Sequence, residues 1–333
     1  MTIDFRHGQS AHCENGSTSN LLRYYGVDIS ESLAFGIASG LFFAYMPFMK
    51  HNNLAATSFR PLPGMIFKRT AASLGIKIYR KKFRDKEASM AALDQALDQN
   101  IPVGLQIGVF HLTYFPRPYR FHFNAHNIVV YGRENGRYLI SDPVMEGVES
   151  LTYEELMRVR WARGLFEPRG QMYYPVDVPA NIDLPRAIIK GIRKNCRDML
   201  SIPFPFFGVK GIRYVSRDIK KWPEKLGEKK AALYLGHFIR MQEEIGTGGG
   251  GFRFIYASFL QEASKILNKP RLRELSQAMT DVGDRWRDFA TIAGRIIKKR
   301  SSDAETYPAM SAILSEIADR EQLIFSELKK AIP

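Results

Sequence analysis

A thiol at the head of a helix meets unpaired backbone N–H groups and the positive end of the helix dipole, both of which favour a thiolate. Cys13 stands at such a place, after Gly8-Gln-Ser-Ala-His and at the start of a helical pattern that Gly26 ends. His126 begins the apolar run Asn127 to Gly132, and Asp142 follows the run Tyr138 to Ser141. Between the runs lies Arg133-Glu-Asn-Gly-Arg, whose Asn135-Gly136 pair is a hairpin signal. Paired strands are about 4.8 Å apart, so His126 and Asp142, at the open ends of such a hairpin, can meet. A thiolate nucleophile, an imidazole base and an orienting carboxylate are the parts of acyl transfer through a thioester. The same residue types have plainer uses. A lone cysteine often packs as a small apolar residue, and a single strand histidine is often structural.

The elements that would position these groups form two blocks. Up to about Pro175, helical patterns cover 13–25, 30–46, 63–74 and 87–99, and strand patterns cover 76–83, 102–109, 127–132, 138–141 and 171–176. Helices first and strands later predict an α+β domain. After Pro179 the strand patterns nearly vanish, and helices are expected over 184–200, 208–221, 224–245, 252–268, 271–300 and 304–331, an all-helical bundle. Three prolines in Pro175 to Pro185 oppose regular structure, so the domains are expected to be 1–176, catalytic, and 177–333, a helical lid or substrate domain.

The chain has 333 residues and a formal charge of +14. From Val176 onward 28 basic residues face 19 acidic ones, +9, and the remainder carries 20 against 15, +5. Such a field favours acidic partners. The Lys298-Lys-Arg300 and Lys220-Lys221 clusters are short and set in helical patterns, without a recognition motif, so no nucleic-acid function is expected. Only Cys13 and Cys196 are present, which excludes a disulfide framework and fits a reduced compartment. The run Leu33 to Met49 falls short of the roughly 20 residues of a spanning helix. With no signal-like N-terminus, a cytoplasmic protein without a membrane span is expected.

Other residues carry two readings. His122 and His126 are four apart, but that spacing aligns ligands on a helix and this stretch reads as a strand; no metal is expected. Tyr114, in the aromatic cluster Phe110 to Phe123, either lines an acyl pocket or is core under a loop. In the run Gly246 to Gly251, Gly249 and Gly250 either form a flexible turn or bring backbone N–H groups to a substrate phosphate or acyl chain, with Arg253 adding charge. The Gly-Lys-Ser/Thr ending of a Walker loop is absent.

The order Cys13, then His126-x-x-Val-Val-Tyr-Gly, then Asp142-Pro resembles papain-like cysteine enzymes, especially bacteriocin-processing peptidases. With Gly8 to Glu14, Leu21 to Gly26, Ser30 to Gly36 and Gly246 to Arg253, the whole chain resembles the butirosin biosynthesis protein H family. The resemblance implies a papain-like catalytic domain with a helical C-terminal domain. It implies that Cys13 takes an acyl group from the phosphopantetheine thiol of an acyl carrier protein. His126, oriented by Asp142, would then activate a small-molecule amine or alcohol. No cofactor is implied beyond the phosphopantetheine that arrives on the donor. Papain-like enzymes hold the oxyanion with a glutamine before the cysteine. Gln9 precedes Cys13 by four residues, closer than in the peptidases, so His12 is an alternative donor.

Two rivals use the same sequence: a cysteine peptidase or thioester hydrolase with the same three residues, and a non-catalytic basic protein that binds acyl carriers or nucleic acid. A helical bundle on the surface also permits a homodimer.

Overall fold

In the computed structural model, residues 2–332 are described. The chain begins with helix α1 (Cys13–Tyr24) and the short α2 (Glu31–Ile37), followed by the hairpin β1 (Ala44–His51) and β2 (Leu54–Ser58). Next come α3 (Met65–Ser73), β3 (Lys77–Lys81), α4 (Lys86–Asp98), β4 (Val103–Ile107), β5 (His126–Glu134) and β6 (Arg137–Ser141). The strand-rich part closes with β7 (Glu149–Thr152), α5 (Tyr153–Arg160) and β8 (Met172–Asp177). Helices α6 (Leu184–Leu200), α7 (Gly208–Ile219), α8 (Trp222–Leu226), α9 (Glu228–Glu243), α10 (Arg253–Ile266), α11 (Pro270–Ile297) and α12 (Tyr307–Ala331) complete the chain.

The chain divides into two compact units, 1–34 with 62–183 and 35–61 with 184–333. The first is α+β. Its six-stranded sheet runs in the order β3-β8-β4-β5-β6-β7, and every pairing is antiparallel. β4 is buried along its whole length, as is β5 from His126 to Gly132, which is the apolar continuity expected of central strands. Gly104 leaves room for Tyr173, whose ring a Cβ would meet at 2.2 Å. α1 packs on β4 and β5 with a face of small and polar residues rather than an aliphatic stripe.

The second unit is a bundle of α6 to α12 that includes the β1–β2 hairpin. Its core is aromatic: Phe43, Phe59, Phe238 and Trp286 are all buried, with Phe59 and Trp286 edge to face at 5.3 Å. Small residues permit close approach, since a Cβ on Gly36 would strike the Phe259 ring and one on Gly191 the Gly36 carbonyl.

Three expectations change. The helix expected over 30–46 stops at Ile37, because Ser39 takes a left-handed φ of 53° and a strand follows. The chain there is apolar on all sides because it is buried, so its periodicity does not separate helix from strand. That strand and its partner pack with the bundle, so the division is not a single cut at 176/177. The single helix expected over 224–245 is broken at Gly227, whose φ is 76°, and β7 and α5 were not foreseen.

Candidate active site

Cys13 is the first residue of α1, where His12 caps the helix: its Nδ1 accepts the Asn15 N–H at 3.2 Å and its carbonyl the Gly16 N–H at 2.9 Å. Cys13 thus sits in the first turn of α1, where backbone N–H groups and the helix dipole favour negative charge. The lead-in is pinned by the Glu31 carboxylate, which accepts the Ala11 N–H at 3.0 Å and the His12 N–H at 3.2 Å. Burial raises the Glu31 pKa, and those two N–H bonds act against it.

His126 opens β5 opposite Ile107 of β4, and the chain after β6 delivers Asp142. The imidazole Nε2 donates to Asp142 Oδ2 at 2.7 Å. That leaves Nδ1 for the hydrogen bond that the ring also makes with Cys13. Cys13, His126 and Asp142 are 6%, 4% and 0% exposed, so the set is closed to bulk water. Burial alone would lower the His126 pKa. The charges of Asp142 and Cys13, with a hydrogen bond to each, outweigh it and raise the group to about 10. At neutral pH the ring is therefore an imidazolium, held between the Asp142 carboxylate and Cys13.

Asp142 is itself held. Its Oδ2 accepts the Tyr114 hydroxyl at 2.9 Å and its Oδ1 the Val144 N–H at 3.2 Å. Burial and then the Asp142 charge keep the Tyr114 hydroxyl protonated, well above its ordinary value, so it remains a donor. Phe115 lies edge to face on His126 at 5.4 Å. His7 braces the turn after β6: its Nδ1 meets the Ser141 hydroxyl at 2.8 Å and its Nε2 the Met145 carbonyl at 3.2 Å. Gly16 lets α1 lie against that turn, because a Cβ there would come within 2.5 Å of Pro143. Ser10 N–H completes the brace by donating to the Pro143 carbonyl at 2.7 Å.

The structure thus brings together Cys13, His126 and Asp142. Tyr114, read either as lining an acyl pocket or as core under a loop, donates its hydroxyl to the Asp142 carboxylate. His12 is buried as a helix cap, with Nδ1 committed as an acceptor, so it does not donate to an oxyanion from that atom. Gln9 is exposed in the lead-in. Gly249, Gly250 and Arg253 belong to the helical unit and are engaged there. Gly249 N–H donates to Thr247 Oγ1 at 3.0 Å, and Gly250 N–H to the Glu243 carboxylate at 3.1 Å. Arg253 is fully buried, forked onto Glu321 by two bonds of 2.9 Å. Its charge serves an internal ion pair rather than a substrate.

Sequence reasoning missed Glu31, His7 and Gly16. The Ser-Glu pair at 30–31 stood within a family-like motif, which is the signal that could have found Glu31. His7 and Gly16 act through contacts more than a hundred residues away and leave no local trace.

The family described as Butirosin biosynthesis protein H, N-terminal, matches residues 12–143, and that described as Domain of unknown function (DUF4872) matches residues 154–328, more than half of the chain. No protein of curated function matches. Among solved structures, a C39-like peptidase from Bacillus anthracis is similar at 16% identity with a TM-score of 0.36, over 53% of this chain and 97% of that one.

Proposed function

We propose that this chain, which belongs to the family described as Domain of unknown function (DUF4872) and whose N-terminal part matches that of butirosin biosynthesis protein H, is a cysteine acyltransferase. It takes an acyl group from a carrier-protein thioester and passes it to a small-molecule amine or alcohol, in a reduced, cytoplasmic setting and a specialised biosynthetic pathway. The observation that carries this reading is the buried imidazole bridging Asp142 and Cys13.

The chemistry follows from the charges. Cys13 thiolate attacks the thioester carbonyl, and the oxyanion meets the Cys13 N–H, with Gln9 proposed as a second donor. The carbon–sulfur bond to the carrier breaks, and His126 gives its proton to the departing pantetheine sulfur. Cys13 is now an uncharged thioester. One of the charges that raised His126 has gone, so the neutral imidazole persists as a base. It takes the proton of the acceptor amine or hydroxyl as that group attacks the acyl carbon. Collapse then expels Cys13 as thiolate beside the restored imidazolium, leaving an amide or ester. Asp142, fixed by Tyr114, keeps the ring aligned through both steps.

Intact-protein mass spectrometry after brief exposure to a panel of acyl thioesters tests this. An acyl adduct that maps to Cys13, is absent in Cys13→Ala, and is discharged by an acceptor amine is the expected result. Discharge by water at the same rate with and without acceptor would make the chain a hydrolase. No adduct from any donor, with Cys13 also inert to iodoacetamide, would return it to a binding protein.

A further inference from the structure

Beyond the Ile107–His126 pairing, the ends of β4 and β5 run on into residues 108–125, closed at their base by Val109 N–H to Phe123 O at 2.9 Å. A second loop, 161–167, is tied to the same place. Gly108 N–H donates to Val159 O at 2.9 Å, and Asn124 Nδ2 to the carbonyls of Arg163 and Leu165 at 3.0 and 3.1 Å. Gln106, buried on β4, reaches the Phe166 carbonyl at 2.9 Å.

These bonds hold an apolar surface out into water. Leu165, Phe166 and Phe110 are 55%, 41% and 40% exposed. Phe166 is held at a left-handed φ of 59°, unfavourable for a bulky residue. A chain under no demand would turn such a ring inward.

Basic side chains predominate around it, with Glu154 and Glu155 before Arg158 and Glu167 beside Arg163 at its edges. Neither 108–125 nor 156–166 contains an acidic residue. Arg158, Arg163 and His111 are exposed, and no ion pair or side-chain hydrogen bond engages either guanidinium among the described residues. Burial first, then the charges of Arg158 and His122, lowers the His111 pKa, so His111 joins the surface as a neutral ring beside Arg158. The neighbouring Glu167 already binds Arg169 and the Gly164 N–H.

We infer that Phe110, His111, Arg158, Arg163, Leu165 and Phe166 form the docking surface for an acidic protein that places an apolar side chain among its carboxylates. Bare phosphates need no exposed leucine and phenylalanine, whereas protein interfaces combine such residues with arginine. The surface lies just past the strand end that carries His126, where a donor borne on a protein has to arrive. What that partner delivers rests on the acyl-transfer reading; the surface itself rests on the loops.

Binding is measured on the Cys13→Ala chain, so that it does not depend on turnover. The probe is an acidic acyl carrier protein with acetylated phosphopantetheine, followed by calorimetry over a range of salt. Arg158→Glu with Arg163→Glu, and separately Phe166→Asn, which suits the left-handed backbone, are each expected to weaken binding about tenfold or more. The double variant should also flatten the salt dependence, and unchanged melting temperatures show that both fold. In the chain with Cys13 restored, KM for the carrier-bound donor should rise by the same factor, while turnover of an N-acetylcysteamine thioester stays unchanged. Equal carrier binding by parent and variants, or no binding by the parent, overturns the surface. So does binding of phosphatidylserine vesicles or duplex DNA that the double variant loses while carrier binding persists. Failure of the acyl-transfer reading shows separately, as no acyl adduct on Cys13 from the cysteamine thioester.

Discussion

His126 has two unlike neighbours, the Asp142 carboxylate and the Cys13 sulfur, which the proposed reaction acylates and releases in turn. Its raised pKa is therefore both a signature and a working part. NMR titration of the His126 ring should give a value near 10, and Asp142→Asn, which removes the largest raising influence, should bring it down by more than a unit. The sign for stability follows. The folded state holds this proton more tightly than the unfolded chain, whose histidine titrates near ~6.5. The stabilisation is thus complete below that value and is lost as pH rises through about 10. Urea midpoints should fall between pH 7 and 10 in the parent and stay flatter in Asp142→Asn. Tyr114→Phe keeps the ring and deletes the bond to Asp142, so kcat should drop roughly 10- to 150-fold, the worth of about 1.5–3 kcal/mol for a hydrogen bond to a charged group. A rise in KM alone, with kcat unchanged, would return Tyr114 to the pocket lining. The three reacting residues were legible because each sits at a local signal: a helix start, a strand start and a strand end. Tyr114 was visible only as an aromatic, since its partner lies 28 residues away.

At the scale of elements, the site is the meeting of one helix end with one strand end, and Gly16 sets the distance between them. An added methyl at 16 meets Pro143 at 2.5 Å and Ser10 at 2.6 Å, neither of which is the far end of a flexible chain. Gly16→Ala should destabilise the catalytic unit by roughly 1–3 kcal/mol. It should also lower Cys13 acylation by about 10²-fold, because a shift on the order of 1 Å is enough to misplace a nucleophile. Gly294→Ala is the contrasting change: a Cβ there meets nothing within 4 Å, inside α11. It should raise stability by about 0.5–1 kcal/mol with no effect on acylation, and equal effects of the two changes would refute the packing argument. Most of the elements were readable where turn glycines or amphipathic stripes marked them, as at Gly26, Gly75 and Asn135-Gly136. The β1–β2 hairpin was not. Its strands carry no alternation, and its turn is Asn52-Asn53, both with left-handed φ, rather than the familiar Asn-Gly.

At the scale of the molecule, the decisive fact is that residues 35–61 leave the first unit to join the second, so the chain passes between units three times. Sequence patterns report a segment's own periodicity and cannot say which core it fills. The single boundary at the proline-rich stretch was therefore the natural reading. The consequence is testable by cutting at that boundary. A fragment of residues 1–176 would carry Phe43, Tyr45 and Phe59 away from Phe238 and Trp286, which surround them in the intact chain. Each buried aromatic contributes roughly 1.5–3 kcal/mol, so exposing three removes an amount comparable to the whole stability of a domain. The fragment 177–333 loses the same packing from the other side and leaves a gap beside Trp286. Neither should give a cooperative thermal transition alone, and fragment 1–176 should bind a hydrophobic dye and aggregate. Deleting 35–61 from the first fragment, with a short Gly-Ser linker from 34 to 62, should recover solubility and a sheet-rich circular dichroism spectrum. If the unmodified fragment folds as a stable monomer instead, the hairpin is an appendage of the first unit and the division at 35–61 is wrong.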